Sequence, residues 1–88
     1  MSWVYMIKNK GGKIYIGVSK NPNSRLYDHN RKAGAQFTES NPSFEIVFLE
    51  EYPDLSQARK REIQIKKWRR DKKELLINRY EQGLPTKT

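Results

Sequence analysis

Apolar residues alternate with other side chains along two N-terminal stretches. Val4 and Met6 keep a period of two inside Trp3 to Lys8, and Ile14, Ile16 and Val18 keep it inside Lys13 to Ser19. That period predicts two β-strands, and the Asn9-Lys10-Gly11-Gly12 segment between them predicts a hairpin turn. Asn21 followed by Pro22 is a good N-cap and first helical residue, so a helix is expected from Pro22 to Lys32, ended by Ala33-Gly34. Ala35 to Ser43 is polar, contains Asn41-Pro42 and reads as a loop. Phe44 to Glu50 (FEIVFLE) reads as a buried strand.

From Pro53 onward the period lengthens. Ala58, Ile65 and Trp68 mark one helical stripe, with Leu55 nearby and Asp54 or Ser56 as cap. The stretch to Tyr80 is long, and Asp71-Lys72-Lys73-Glu74 has the form of a capping box. Two helices are therefore expected, Leu55 to Arg69 and Lys72 to Tyr80. The order β-β-α-β-α-α defines an α+β domain over residues 1–82, with a frayed tail at 83–88.

Hairpin loop length decides where two tyrosines point. A Gly11-Gly12 turn would pair Tyr5 with Val18 and put Tyr5 and Tyr15 on opposite faces. An odd loop, Lys10-Gly11-Gly12, would pair Tyr5 with Gly17 and put both on one face. The pattern alone permits either. Gly17 interrupts a strand, which costs stability unless something must approach closely there.

Composition narrows the function. The chain of 88 residues is enough for one small core. It has no cysteine, which excludes disulfides and cysteine-ligated metal sites. No apolar run approaches a membrane span, and MSWVYMIKNK lacks a signal-peptide layout, so a cytoplasmic location is expected. Eighteen Lys and Arg against ten Asp and Glu give a net charge of +8. That balance points to a polyanionic partner, nucleic acid above all.

Several side chains carry candidate chemistry. Arg25 and His29 stand at i and i+4 and share a helix face, although Arg25 could pair with Asp28. Glu62 falls on or beside the apolar stripe, where a charge must be paired or metal-bound. Lys66 to Lys73 (KKWRRDKK) holds six basic residues: Lys66, Lys67, Arg69, Arg70, Lys72 and Lys73. The run is either a solvated face or a phosphate-backbone contact without base information. Trp68 fits the core better than a base-stacking role.

Two strand tyrosines, an Arg and a His on the next helix, and a later helical Glu form an ordered set. The chain resembles the GIY-YIG nuclease superfamily, in its small stand-alone single-domain form, from about Trp3 to Tyr80. Tyr15-Ile16-Gly17 matches the second half of the name. Trp3-Val4-Tyr5 stands where the family has Gly-Ile-Tyr, so only the tyrosine matches. Arg25 and His29 fall at the family's helix positions, and REIQIKKWRR resembles its second-helix pattern. Asn78 is a candidate for an Asn that the family often carries near its end. Related small members have a loop of the form Gly-Ala-Lys-Tyr-Thr-Arg where this chain has Gly34-Ala35-Gln36-Phe37-Thr38-Glu39.

The resemblance implies a three-stranded antiparallel sheet flanked by helices, with Tyr5 and Tyr15 on one face and Gly17 giving access to them. It implies metal-dependent phosphodiester hydrolysis of nucleic acid, DNA favoured, in repair or recombination. Glu62 would hold one divalent ion, Mg²⁺ or alternatively Mn²⁺. Arg25 would contact the phosphate, and Tyr5, Tyr15 or His29 would orient or deprotonate water. The alternative is a nucleic-acid-binding module that cleaves weakly or not at all, and a protein partner is a further expectation.

Overall fold

The computed structural model describes residues 1–32 and 43–87. Its elements are β1 (Ser2–Asn9), β2 (Ile14–Ser19), α1 (Pro22–Lys32), β3 (Phe44–Tyr52), α2 (Leu55–Lys66) and α3 (Arg70–Glu81). The order β-β-α-β-α-α and a three-stranded antiparallel sheet are as expected. The sheet order is β2-β1-β3, so the first strand is central. The loop Gly34 to Glu39 and the helix end at Ala33-Gly34 lie outside the described residues.

The hairpin resolves the parity question. Asn9 and Lys13 close the ladder with Asn9 N–H donating to Lys13 O at 3.1 Å. Three residues lie between them, and Gly12 takes a positive φ of 90°, which suits a glycine. The Asn9 side chain also accepts from Lys13 N–H at 3.0 Å. This odd loop pairs Tyr5 with Gly17 and Ile7 with Tyr15.

A β-bulge rearranges the other edge. Met6 pairs with Phe48 but Ile7 pairs with Ile46, so Val47 is the extra residue. Even-numbered positions of β3 therefore change faces at the bulge. Phe48 points with Val4 and Met6, whereas Phe44 and Ile46 point with Ile7.

The two sheet faces bury different amounts of apolar surface. Val4, Met6 and Phe48 pack with Ala58 and Ile65 of α2 and Leu76 and Ile77 of α3. Ile14, Ile16, Val18 and Trp68 flank this main core. The opposite face carries a smaller apolar layer, in which Ile7 and Phe44 are buried. Asn30 of α1 clamps its edge: Asn30 Nδ2 donates to Phe44 O and Phe44 N–H donates to Asn30 Oδ1.

The long helical stretch breaks earlier than expected. Asp54 caps α2 by accepting from Gln57 N–H at 2.9 Å. The helix ends at Lys66 rather than Arg69, because Lys67 and Trp68 N–H turn to carbonyls three residues back and Trp68 drops onto the core. α3 then starts at Arg70, so Asp71 lies inside it and the expected capping box does not form. Glu74 instead pairs with Lys8 of β1 at 3.0 Å.

The tail expected to fray is held through Lys87. Arg79 Nε donates to Pro85 O at 2.8 Å and Arg61 Nη2 donates to Thr86 O at 3.0 Å. Lys87 Nζ lies 4.1 Å from the Tyr52 ring centroid and donates to Glu51 O. Carbonyls held by arginines tie this segment to α2 and α3, and a cation over a ring ties it to β3.

Candidate active site

Strand register and helix α1 build one cleft on the sheet face away from the main core. It has a volume of 240 Å³, and its walls include Tyr5, Tyr15, Arg25, Asp28 and His29 over a floor of Ile7. The i, i+4 spacing of Arg25 and His29 sets both on the face of α1 that meets the tyrosines.

Gly17 makes room for a neighbouring side chain. A Cβ at this position would stand 2.5 Å from Tyr5 Oη and 2.6 Å from Tyr5 Cζ. The phenol ring thus lies across its own cross-strand partner, as aromatic rings do over strand glycines.

Tyr15 and His29 are organised by Phe44. The His29 ring sits 5.0 Å from Tyr15 and 4.6 Å from Phe44, edge-on to the latter, and Tyr15 meets Phe44 at 5.3 Å. Such tilted ring contacts fix orientation. Tyr15 still keeps 48% of its surface exposed, so the phenol remains accessible.

Electrostatics connect the cleft to α2. Burial raises the Tyr5 phenol above its ordinary pKa; Arg25 opposes the rise and Glu62 adds to it. Tyr5 thus feels both a cation and a carboxylate and stays a neutral phenol at neutral pH. Glu62 is buried, although it is not one of the cleft's walls. Its carboxylate is held by Arg59 at 3.7 Å and by Lys66 at 3.4 Å. Both distances exceed the 2.7–2.9 Å typical of a tight charge-assisted hydrogen bond, so these cations offset the charge without locking it.

A divalent ion would find a sparse donor set here. Among the described residues, no group of three or more His, Asp or Glu is arranged to hold a metal. A lone carboxylate nevertheless suits Mg²⁺, which keeps several waters and borrows phosphate oxygens. The donor chemistry of Glu62 fits such an ion, in competition with Arg59 and Lys66.

The other candidates scatter. Asn78 is exposed on α3 and is not part of the cleft. Within the basic run, Lys66 serves Glu62, Arg69 pairs loosely with Asp71 at 3.8 Å, and Lys72 Nζ sits 4.3 Å from the Trp68 ring centroid. Arg70 reaches the hairpin, where its Nη2 would meet a Cβ on Gly12 at 3.3 Å.

Sequence patterns did not point to Phe44, because its packing against Tyr15 and His29 depends on the bulge. They also missed a buried network behind the sheet. Arg61 Nε donates to Glu50 Oε1 at 2.9 Å, and Tyr52 Oη–H donates to the same oxygen at 2.6 Å. The Glu50–Tyr52 spacing in β3, two residues apart on one face, was the available signal.

Known proteins share this family and fold. The GIY-YIG catalytic domain family matches residues 1–75. A UPF0213 protein of Staphylococcus aureus strain Mu3 is 40% identical over 75 residues, covering 85% of this chain and 92% of that protein. The UPF0213 protein SA0446 of strain N315 matches to the same extent. The solution NMR structure of a UPF0213 protein from Bacillus halodurans superposes with a TM-score of 0.56 at 29% identity, covering 89% of this chain and 84% of that one.

Proposed function

The chain belongs to the GIY-YIG catalytic domain family, and on that premise we propose that it is a nucleic-acid-binding module, DNA favoured, which grips one phosphodiester in the α1 cleft and hydrolyses it slowly. The observation that carries this reading is the gathering of Tyr5, Tyr15, Arg25 and His29 around one cleft, with Glu62 acting on the same phenol.

Arg25 binds the phosphate, since its planar fork suits two oxygens. Tyr5, a neutral phenol, donates a hydrogen bond and orients the attacking water. His29 takes that water's proton, because histidine is the side chain whose ordinary pKa lies nearest neutrality. Tyr15 and Phe44 hold the imidazole in place. Glu62 would hold a divalent ion, Mg²⁺ or Mn²⁺. When bound, the metal supplies positive charge to the phosphate oxygens as negative charge builds there. Lys67, Arg69 and Arg70 extend the backbone contact beyond the cleft.

Slow hydrolysis follows from Glu62. To hold a metal, Glu62 would have to release Arg59 or Lys66, or share its oxygens with them. A second reading, an efficient metal-dependent endonuclease of DNA repair or recombination, is favoured by the four side chains gathered at the cleft and by the Glu62 charge felt at the Tyr5 phenol.

The test is binding and cleavage of nicked, branched, flap and single-stranded DNA with Mg²⁺ or Mn²⁺. Wild type is compared with Glu62→Gln and Arg25→Ala. The expected result is salt-sensitive binding, with cutting that needs protein in excess over DNA. Glu62→Gln should abolish cutting and keep binding, whereas Arg25→Ala should weaken both. Many turnovers per protein would favour the second reading. No binding at low salt would contradict both.

A further inference from the structure

The α2–α3 layer, on the sheet face opposite the α1 cleft, carries a larger groove of 440 Å³ that shares no wall with the cleft. Its walls include Arg61, Trp68, Lys72, Leu75 and Arg79, and no carboxylate contributes to them among the described residues. We propose that this groove docks an acidic segment of a partner protein, with carboxylates on Lys72 and Arg79 and an apolar side chain on Leu75.

Charge selects the partner. Glu50 compensates Arg61, but Lys72 and Arg79 have no carboxylate partner among the described residues, and a neutral apolar occupant would strip their water without replacing it. Leu75 is 61% exposed beside them and gives the groove an apolar wall. A segment bearing both carboxylates and a leucine-like residue satisfies both features at once.

The alternative polyanion, a nucleic-acid strand, fits less well. A phosphate backbone offers nothing to Leu75. Base stacking needs a free face of Trp68, but Lys72 Nζ lies over that ring at 4.3 Å and the Arg61 guanidinium at 5.2 Å.

The walls are preorganised, which lowers the cost of binding. Glu50 fixes Arg61 from behind, and the Arg61 guanidinium in turn holds Thr86 O. Pro85 O holds Arg79 Nε at 2.8 Å. Because the groove and the cleft lie on opposite layers, a partner and a nucleic acid can bind together. A partner could then place the module on its substrate.

The test begins with selection of a random-peptide phage library on the full-length chain. Synthetic versions of the enriched clones are then titrated against wild type, Leu75→Glu and Arg79→Glu. Expected are acidic sequences containing Leu or Phe whose affinity falls with salt and falls about tenfold or more in either variant. Saturating nicked duplex DNA should leave peptide binding unchanged. No enrichment, or peptides that bind both variants as well as wild type, would overturn the proposal. Displacement by the duplex would reassign the groove to nucleic acid. Leu75 is exposed, so Leu75→Glu keeps the test valid even if Arg79→Glu disturbs the tail.

Discussion

The phenol of Tyr5 lies directly across Gly17, its antiparallel partner, so closely that a single added carbon would stand 2.5 Å from the hydroxyl oxygen. The glycine in the second strand is therefore a seat for a neighbouring side chain. Gly17→Ala should push the ring aside, costing about 1–3 kcal/mol as an overpacking change. Urea unfolding measures that cost. Phosphate-backbone affinity should fall with it, because Tyr5 loses its place beside Arg25. In a Tyr5→Ala background the same substitution should cost much less.

Behind the sheet, Glu50 depends on Arg61. Their side chains are 2% and 11% exposed, so removing the cation leaves a buried carboxylate with only the Tyr52 hydroxyl to meet it among the described residues. Arg61→Ala should destabilise the fold by about 3–5 kcal/mol. Adding Glu50→Gln should recover part of that loss in thermal unfolding.

Alkaline pH should unfold the protein through its tyrosines. Burial, and then the hydrogen bond and charge of Glu50, hold the Tyr52 phenol well above its ordinary pKa of 10.0. Tyr5 shifts in the same direction. The folded state thus retains protons that the unfolded chain releases. Their contribution is complete below about pH 10 and is lost as pH rises through the folded values. Tyr52→Phe should flatten much of this decline in a series of melts above pH 9.

Phe44 should matter for the chemistry more than for the fold. Phe44→Leu keeps an apolar side chain at a buried position and should cost less than about 1.5 kcal/mol. It removes the edge contact that holds His29. DNA cleavage should fall more than stability, and the His29 ring protons should shift in NMR spectra.

Much of the fold was legible because it rests on local signals. Strand alternation, the Asn21-Pro22 helix start and the Asp54 cap each act within a few residues. The candidate site was legible through ordered residue types: Tyr5, Tyr15, Arg25 and His29 converge because hairpin parity and helix spacing bring them together. What stayed hidden depends on tertiary context. The bulge at Val47, which turns Phe44 toward His29, has no local marker. Trp68 leaves the helix to reach the core, which moves the break and leaves Asp71 without a capping role. The cations on Glu62 were foreseen only as one ordinary outcome for a carboxylate on that stripe. The docking of residues 83–87 depends on Arg61 and Arg79, which look like ordinary surface charges in the sequence.

The most direct test of the phosphate-gripping cleft is an amide NMR titration of the Glu62→Gln chain with a short nicked duplex at low salt. The largest shifts should centre on Gly17, Arg25 and His29, and Arg25→Ala should weaken the interaction. Shifts confined to the α2–α3 layer, or none at saturating DNA, would contradict the account.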